Sequence, residues 1–307
     1  MYTISTCLLV LITFNDIITS NAQDDRDHSE PVIFIQFSQT NRMDITPNTL
    51  HNLNRSLPTV FLIHGWHTSV SIDIYLLNIT TAYRDLNDRN VIFVDWSNTA
   101  QNSYIDVVFN GISRVGNKVG EMIMLLHDTL EIDVKTVHIV AVTLGAHIAG
   151  YAGCYVQEHH PENAAIGRIT GLEAAGALFE SYFGVQNVLS LRRSDADVVD
   201  VTHTNSIFWG SNQNVGSVDF YVNGGETQRF CGESTAFDLI SPSLVNTCSH
   251  AFAIILYRLT IDNRAYKASN NPENCKNLIV YGDNLDLNAT GIYYINTEDD
   301  WPYKTLC

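Results

Sequence analysis

The sequence is short of positive charge. It carries 17 Lys and Arg against 33 Asp and Glu over 307 residues, a formal net charge of −16. That balance argues against a nucleic-acid partner and against an anionic membrane held by charge alone. It also lacks internal repeats, low-complexity tracts and any linker dividing the chain after the N-terminal segment. Beyond that segment no apolar run is long enough for a transmembrane helix. What is present is an ordinary globular composition, 45% hydrophobic and 16% charged, with enough chain to bury a large core.

The N-terminus has an apolar run from Cys7 to Phe14, with no Lys or Arg ahead of it, and small residues Ser20 and Ala22 before Gln23. This pattern is expected for a signal peptide covering residues 1–22, and the run is too short to span a bilayer. Three N-x-S/T sequons, at Asn54, Asn78 and Asn288, point to the same secretory route and to glycosylation. Removing the leader leaves Cys154, Cys231, Cys248, Cys275 and Cys307, an odd count for an oxidising compartment. Cys231 and Cys248 flank a Gly-, Ser- and Pro-bearing loop and are expected to form a disulfide clasp. Cys154 is expected to be a buried free thiol, and Cys275 with Cys307 is a further pairing.

Short β-rich runs alternate with helical periodicity. Strands are expected at Pro31–Phe37, Thr59–His64, Val91–Trp96, Thr136–Ala141, Gly167–Glu173, Val188–Arg192 and Ser217–Val222. Helices are expected over Asp106–Glu131, Thr143–Glu158 and Asn246–Ile261. Thr59–Ile63, Val91–Val94 and Val137–Ala141 are nearly continuously apolar, as strands buried on both faces must be. The alternation predicts one α/β domain from about residue 30 to 307, a mostly parallel sheet with helices on both faces. The Pro31–Phe37 strand is expected to pair antiparallel at the edge.

One segment carries chemistry. In His138-Ile139-Val140-Ala141-Val142-Thr143-Leu144-Gly145-Ala146-His147 an apolar strand runs through a sharp turn into a small-residue helix. That is the setting of a nucleophile elbow, where G-x-S-x-G lifts a serine to the top of an α/β-hydrolase sheet. Here the pattern reads A-V-T-L-G, so the nucleophile position holds Thr143. Acyl transfer also needs a base, an acid orienting that base, and two N–H donors for the oxyanion. Glu173 at the end of the Ile169–Leu172 strand and His250 after Cys248 complete the chain order nucleophile, acid, histidine. His64-Gly65-Trp66 after the Thr59–Ile63 strand would bring the Trp66 amide beside that of Leu144 as the donor pair.

These segments resemble the animal pancreatic-lipase-like family, including its secreted insect lipase, phospholipase A1 and yolk-protein branch. The resemblance rests on Phe61–Trp66, Val94-Asp95-Trp96, Leu144–Gly153 and Ile169–Leu172. It continues through Ser194–Asp197, Val199–Thr204, Val218–Gly225 and Cys248-Ser249-His250. It implies an α/β-hydrolase fold acting on acyl lipid esters, without a cofactor. The catalytic positions fall on Thr143, Glu173 and His250, and the oxyanion donors on Trp66 and Leu144. It further implies a lid between Cys231 and Cys248, with Phe237, Leu239, Ile240, Leu244 and Val245 facing the site or a lipid surface. The exposed-looking Ile207-Phe208-Trp209 would sit at the same mouth. Ending at Cys307, the sequence predicts no C-terminal β-sandwich and so no colipase partner.

The departures from the family pattern set the functional expectation. Glu173 stands for aspartate, an accepted triad variant whose extra methylene needs room that Ala174 would give. Ala141 and Val142 replace the glycine and histidine before the nucleophile. Arg192 stands where a calcium ligand would be, so no metal is expected. Thr143 is the severe change, because a β-branched residue fits a strained elbow badly and its methyl crowds the attack. The expectation is a secreted lipase-like protein with impaired or absent hydrolysis that binds a lipid or other ligand. The alternative is an active lipase or phospholipase A1 using Thr143, His250 and Glu173. Read locally, Thr143 is only a helix N-cap, and Asp197, Asp200, His147 and His203 are structural.

Overall fold

The computed structural model describes residues 31–180, 189–232, 244–262, 266–300 and 303–306, with the side chains of the helix beginning at Leu244 described from Thr247. Eleven strands form one sheet: β1 (Ile33–Phe37), β2 (Arg42–Asp44), β3 (Thr59–Ile63), β4 (Asn90–Asp95), β5 (Val137–Val142), β6 (Arg168–Leu172), β7 (Val198–His203), β8 (Val218–Val222), β9 (Tyr266–Ser269), β10 (Leu278–Tyr281) and β11 (Gly291–Ile295). Their spatial order is β10-β9-β11-β8-β7-β6-β5-β3-β4-β1-β2. From β4 through β11 each neighbouring pair is parallel, while β1, β2, β9 and β10 add on antiparallel at the two sides.

The central strands separate their side chains by parity, as a pleated sheet must. Phe61, Ile63, Ile92, Val94, Ile139, Ala141, Val199 and Val201 pack on one face with α2 (Ile112–Leu130) and α3 (Leu144–His159). Val60, Leu62, Val91, Phe93, Val140, Val142, Phe220 and Val222 pack on the other with α1 (Ile74–Leu86) and α4 (Leu244–Ile261). Covering both faces is why β3, β4 and β5 read as unbroken apolar runs. On α2 the buried Val115, Val119, Ile123 and Leu126 recur at helical spacing, and Glu131 in the left-handed region ends the helix. A single π-turn, Val107–Gly111, precedes α2.

Three expectations are corrected. Val188–Arg192 is no strand: residues 189–192 are irregular. There the Leu191 N–H donates to His147 Nδ1 at 3.0 Å and the Arg192 N–H to Asp195 Oδ2 at 2.8 Å, so side chains take the donors a ladder would need. Cys154 is disulfide-bonded rather than free, as is Cys275. The β1 strand pairs antiparallel with β4, but β2 lies outside it, so β1 is not the edge. The sequence reading also passed over β7 as a strand, because Asp200, Thr202 and His203 are buried in it and break the apolar pattern.

Candidate active site

The segments after the parallel strands β3, β5 and β6 carry Trp66, Thr143 and Glu173, and α4 carries His250. Thr143 follows β5 directly and precedes α3, with φ 52° and ψ −114°. The sharp turn predicted from the strand-to-helix switch is therefore present at a β-branched residue. Such a backbone costs on the order of 1–3 kcal/mol. Thr143 occupies the N-cap position, yet its side chain makes no capping hydrogen bond. Its hydroxyl lies against Gly65, where an added Cβ would stand 2.8 Å from Oγ1 and 3.4 Å from Cγ2. A glycine after β3 is thus what lets the two loops meet.

The two oxyanion-donor candidates flank that contact. Leu144 opens α3, where the first amides of a helix have no intrahelical acceptor. The Trp66 N–H has no backbone acceptor among the described residues, while its indole donates to Asn102 O at 3.0 Å. His64 is fully buried and fixes this loop. Its Nδ1 contacts Gly65 O at 2.8 Å and Thr68 Oγ1 at 2.9 Å, and its Nε2 accepts from Trp96 N–H at 3.0 Å.

Glu173 ends β6 in the left-handed region, φ 54°, with its side chain fully buried. One carboxylate oxygen, Oε2, accepts from the Thr204 N–H, the Thr204 hydroxyl and, at 2.9 Å, the Asn205 N–H. The other, Oε1, has no partner. It abuts Gly210, where an added Cβ would fall 1.5 Å from it. The room for the glutamate's extra methylene is therefore made by Gly210; Ala174, expected to provide it, is itself packed in the core. Burial raises the Glu173 pKa to about 7, against the lowering by the Thr204 and Asn205 donors.

His250 sits two residues beyond Cys248, which is bonded to Cys231 as the spacing predicted. The preceding Ser249 hydroxyl accepts from Gln228 N–H at 2.9 Å, and the Gln228 amide in turn donates to Thr204 O at 3.0 Å. One glutamine thus ties the histidine segment to the loop that clamps Glu173. The His250 ring is half-buried, and burial lowers its pKa to about 4. Its Nδ1 is shielded and has no hydrogen-bond partner among the described residues. Trp209 lies beside it, ring centroids 6.1 Å apart. Neither a Thr143–His250 nor a His250–Glu173 hydrogen bond is made, which leaves one carboxylate oxygen of Glu173 and one ring nitrogen of His250 unmatched among the described residues.

Thr143 and His250 both line a cavity of about 440 Å³. Its walls are mostly apolar, from Val142, Leu144, Ala175, Ala177, Trp209, Ala251 and Ile254, together with Trp66, Thr68, Asp73, Tyr75 and Tyr104. Size and lining suit an acyl chain with a few polar contacts. Phe237, Leu239 and Ile240 lie outside the described residues. Asp200 is paired with Arg168 at 2.8 Å inside the sheet, and Asp197 is exposed. His147 bridges Ala175 O and Leu191 N, and His203 bridges Ser211 O and Asp219, so both histidines are structural. Arg192 closes on Asp195 at 3.0 Å, and among the described residues no group of three His, Cys, Asp or Glu is placed to hold a metal. Thr204, Asn205, Gly210 and Asp73 have no signal of their role in the sequence, apart from the position of Gly210 after Ile207-Phe208-Trp209.

A family profile described as Lipase matches residues 23–296. The chain is 34% identical over 214 residues to Lipase member H-B of Xenopus laevis, covering 69% of this chain and 43% of that protein. It is 33% identical over 234 residues to hepatic triacylglycerol lipase of Oryctolagus cuniculus, covering 70% and 45%. The chain thus spans less than half the length of these relatives. Among solved structures, a fungal esterase from Rhizomucor miehei aligns over 86% of this chain and 92% of its own at 11% identity and a TM-score of 0.36, too remote to bear on the site.

Proposed function

The chain belongs to the pancreatic-lipase-like family, and from that premise we propose that it is a secreted acyl-ester-binding protein in which hydrolysis is impaired or lost. The observation that carries this reading is the uncoupled site. Thr143 has no hydrogen-bonded base, and the buried Glu173 Oε1 and His250 Nδ1 are each without a partner. Acyl transfer needs the base bonded to the nucleophile and the acid bonded to the base. The apolar cavity beneath Thr143 remains, and it supports binding of an acyl chain. A relative whose name specifies triacylglycerol puts glycerol esters first among the ligands to try.

Secretion is part of the proposal, with residues 1–22 as signal peptide and a lipase-like domain over 30–307. Asn54, Asn78 and Asn288 are all exposed, as N-glycosylation requires. Disulfides at Cys154, Cys231, Cys248 and Cys275 fit an oxidising compartment. No helix among the described residues is long and apolar enough to cross a membrane.

One observation favours the alternative of a working ester hydrolase. Thr143 keeps the strained elbow backbone without using its side chain as a cap, a conformation with no evident structural benefit. In that reading Thr143 attacks, His250 acts as base and then acid, Glu173 orients it, and the Trp66 and Leu144 amides hold the oxyanion. The test is ester release from p-nitrophenyl butyrate and phosphatidylcholine by wild type, Thr143→Ala and Thr143→Ser. The proposal expects wild type to equal Thr143→Ala. A wild type clearly faster than Thr143→Ala makes the threonine a nucleophile and overturns it.

A further inference from the structure

The cavity holds a carboxylate that acyl transfer does not use. Asp73 lines the cavity and is only 7% exposed. Its Oδ1 caps α1 by accepting from Leu76 N–H at 2.9 Å, and the Tyr75 N–H is also within its reach. Both of these donors are neutral. Among the described residues no Lys or Arg pairs with Asp73, and burial raises its pKa. The His64 ring acts on it electrostatically and favours the carboxylate, and a cation brought by a ligand would add to that match.

Three aromatic rings line the same cavity: Trp66, Tyr75 and Tyr104. Trp66 and Tyr104 meet edge to face at 5.1 Å, and each is anchored by its polar atom, the indole to Asn102 O and the phenol to Ala177 O at 2.9 Å. Trp66 and Tyr104 are thus held in place, with His67 packed on Trp66 at 4.0 Å between ring centroids. Aromatic rings and a carboxylate lining one cavity are the components that receive quaternary ammonium groups. The cavity wall is also close to the elbow. The Thr68 hydroxyl donates to Gly65 O at 2.8 Å, and Gly65 is the residue against which Thr143 packs.

We propose that Trp66, Asp73, Tyr75 and Tyr104 of the cavity receive a quaternary ammonium carried on the alcohol half of an acyl ester, whose chain fills the apolar remainder. This rests on the reading that the cavity takes an acyl ester and adds the chemistry of its head.

The experiment compares octanoylcholine with 3,3-dimethylbutyl octanoate, in which carbon replaces the charged nitrogen at equal shape, and with choline alone. Binding is followed by calorimetry on the full chain carrying Thr143→Ala, so that no ester is turned over. Octanoylcholine is expected to bind on the order of tenfold tighter than its neutral isostere, and choline far more weakly than either. Asp73→Asn keeps an N-cap acceptor and the fold, and is expected to reduce the preference to about twofold while leaving the neutral ester unchanged. Tyr75→Leu, at a partly exposed ring, is expected to lower the preference severalfold.

Equal affinity for the two esters, or a preference that survives Asp73→Asn, overturns the ammonium assignment and leaves ester binding standing. Choline binding as tightly as octanoylcholine overturns it too, because the acyl chain would then lie elsewhere. Failure of both esters to bind removes the acyl-ester reading itself, and this inference with it.

Discussion

Substituting Gly210 by alanine probes the most constrained contact in the site. An alanine Cβ there would fall 1.5 Å from Glu173 Oε1, where ordinary contact begins at 3.4 Å, so roughly 2 Å of displacement is needed. Gly210 has no positive φ, so the backbone tolerates alanine and the effect is steric. The loop resists moving, because Ser211 N–H donates to Ala174 O at 2.8 Å and Gly210 N–H to Asn205 O at 3.1 Å. The carboxylate resists as well, since turning it aside breaks three hydrogen bonds to Oε2, each worth about 1 kcal/mol. Gly210→Ala should therefore destabilise by about 3 kcal/mol, the upper end for overpacking. Glu173→Asp withdraws the carboxylate by one methylene, and in that background the same alanine should cost only about 1 kcal/mol. Urea unfolding of wild type, both single variants and the double variant gives the coupling, expected near 2 kcal/mol. Additivity within about 0.5 kcal/mol would refute the argument that Gly210 is the space the glutamate occupies.

Three further outcomes are expected. Any ester hydrolysis by Thr143→Ser should rise with pH to a plateau, with an inflection near 7, because Glu173 must ionise and burial holds it at about 7; an inflection near 4 alone would assign the profile to His250 instead. Stability should respond to His250 with a definite sign. Its folded pKa, about 4, lies below the ordinary 6.5, so the unfolded chain binds more protons between those values and stability falls as pH is lowered through them. His250→Gln should flatten that part of a Tm-against-pH curve, and an unchanged slope would show that other groups cause it. Finally, Arg168 and Asp200 form a buried bidentate pair, with the guanidinium also donating to Gly282 O at 2.9 Å and Asp283 O at 3.0 Å. Arg168→Met should lower stability by about 3–5 kcal/mol, and Arg168→Met with Asp200→Asn by clearly less, because the single change strands a charge; equal losses would contradict this.

The elements legible from the sequence are those whose signal is local. Thr59–Ile63, Asn90–Asp95 and Val137–Val142 announce strands covered on both faces, because every position in them is apolar or nearly so. The turn at Thr143 was readable from a strand meeting a small-residue helix, and the Cys231–Cys248 bond from two cysteines around one loop. The strand β7 was not, because Asp200, Thr202 and His203 look like surface residues until Arg168, Tyr281 and Asp219 are brought against them from 32, 79 and 16 positions away. The expected strand near Leu191 failed for the same reason, since its backbone donors are taken by His147 and Asp195.

By itself the sequence determined the family, the order of Thr143, Glu173 and His250, and the parallel sheet whose strand ends carry Thr143 and Glu173, while His250 comes from α4. Chain order and side-chain parity are properties of neighbours along the chain, and they are fixed before folding. Only the tertiary structure decided the state of the site. Glu173 is turned onto Thr204 and Asn205 and against Gly210, His250 Nδ1 is left without a hydrogen-bond partner among the described residues, and Asp73 lines a cavity with Trp66, Tyr75 and Tyr104. Those outcomes depend on burial and on distances between residues 30 to 110 positions apart in the sequence, and hydrogen bonds and pKa values are set by such distances.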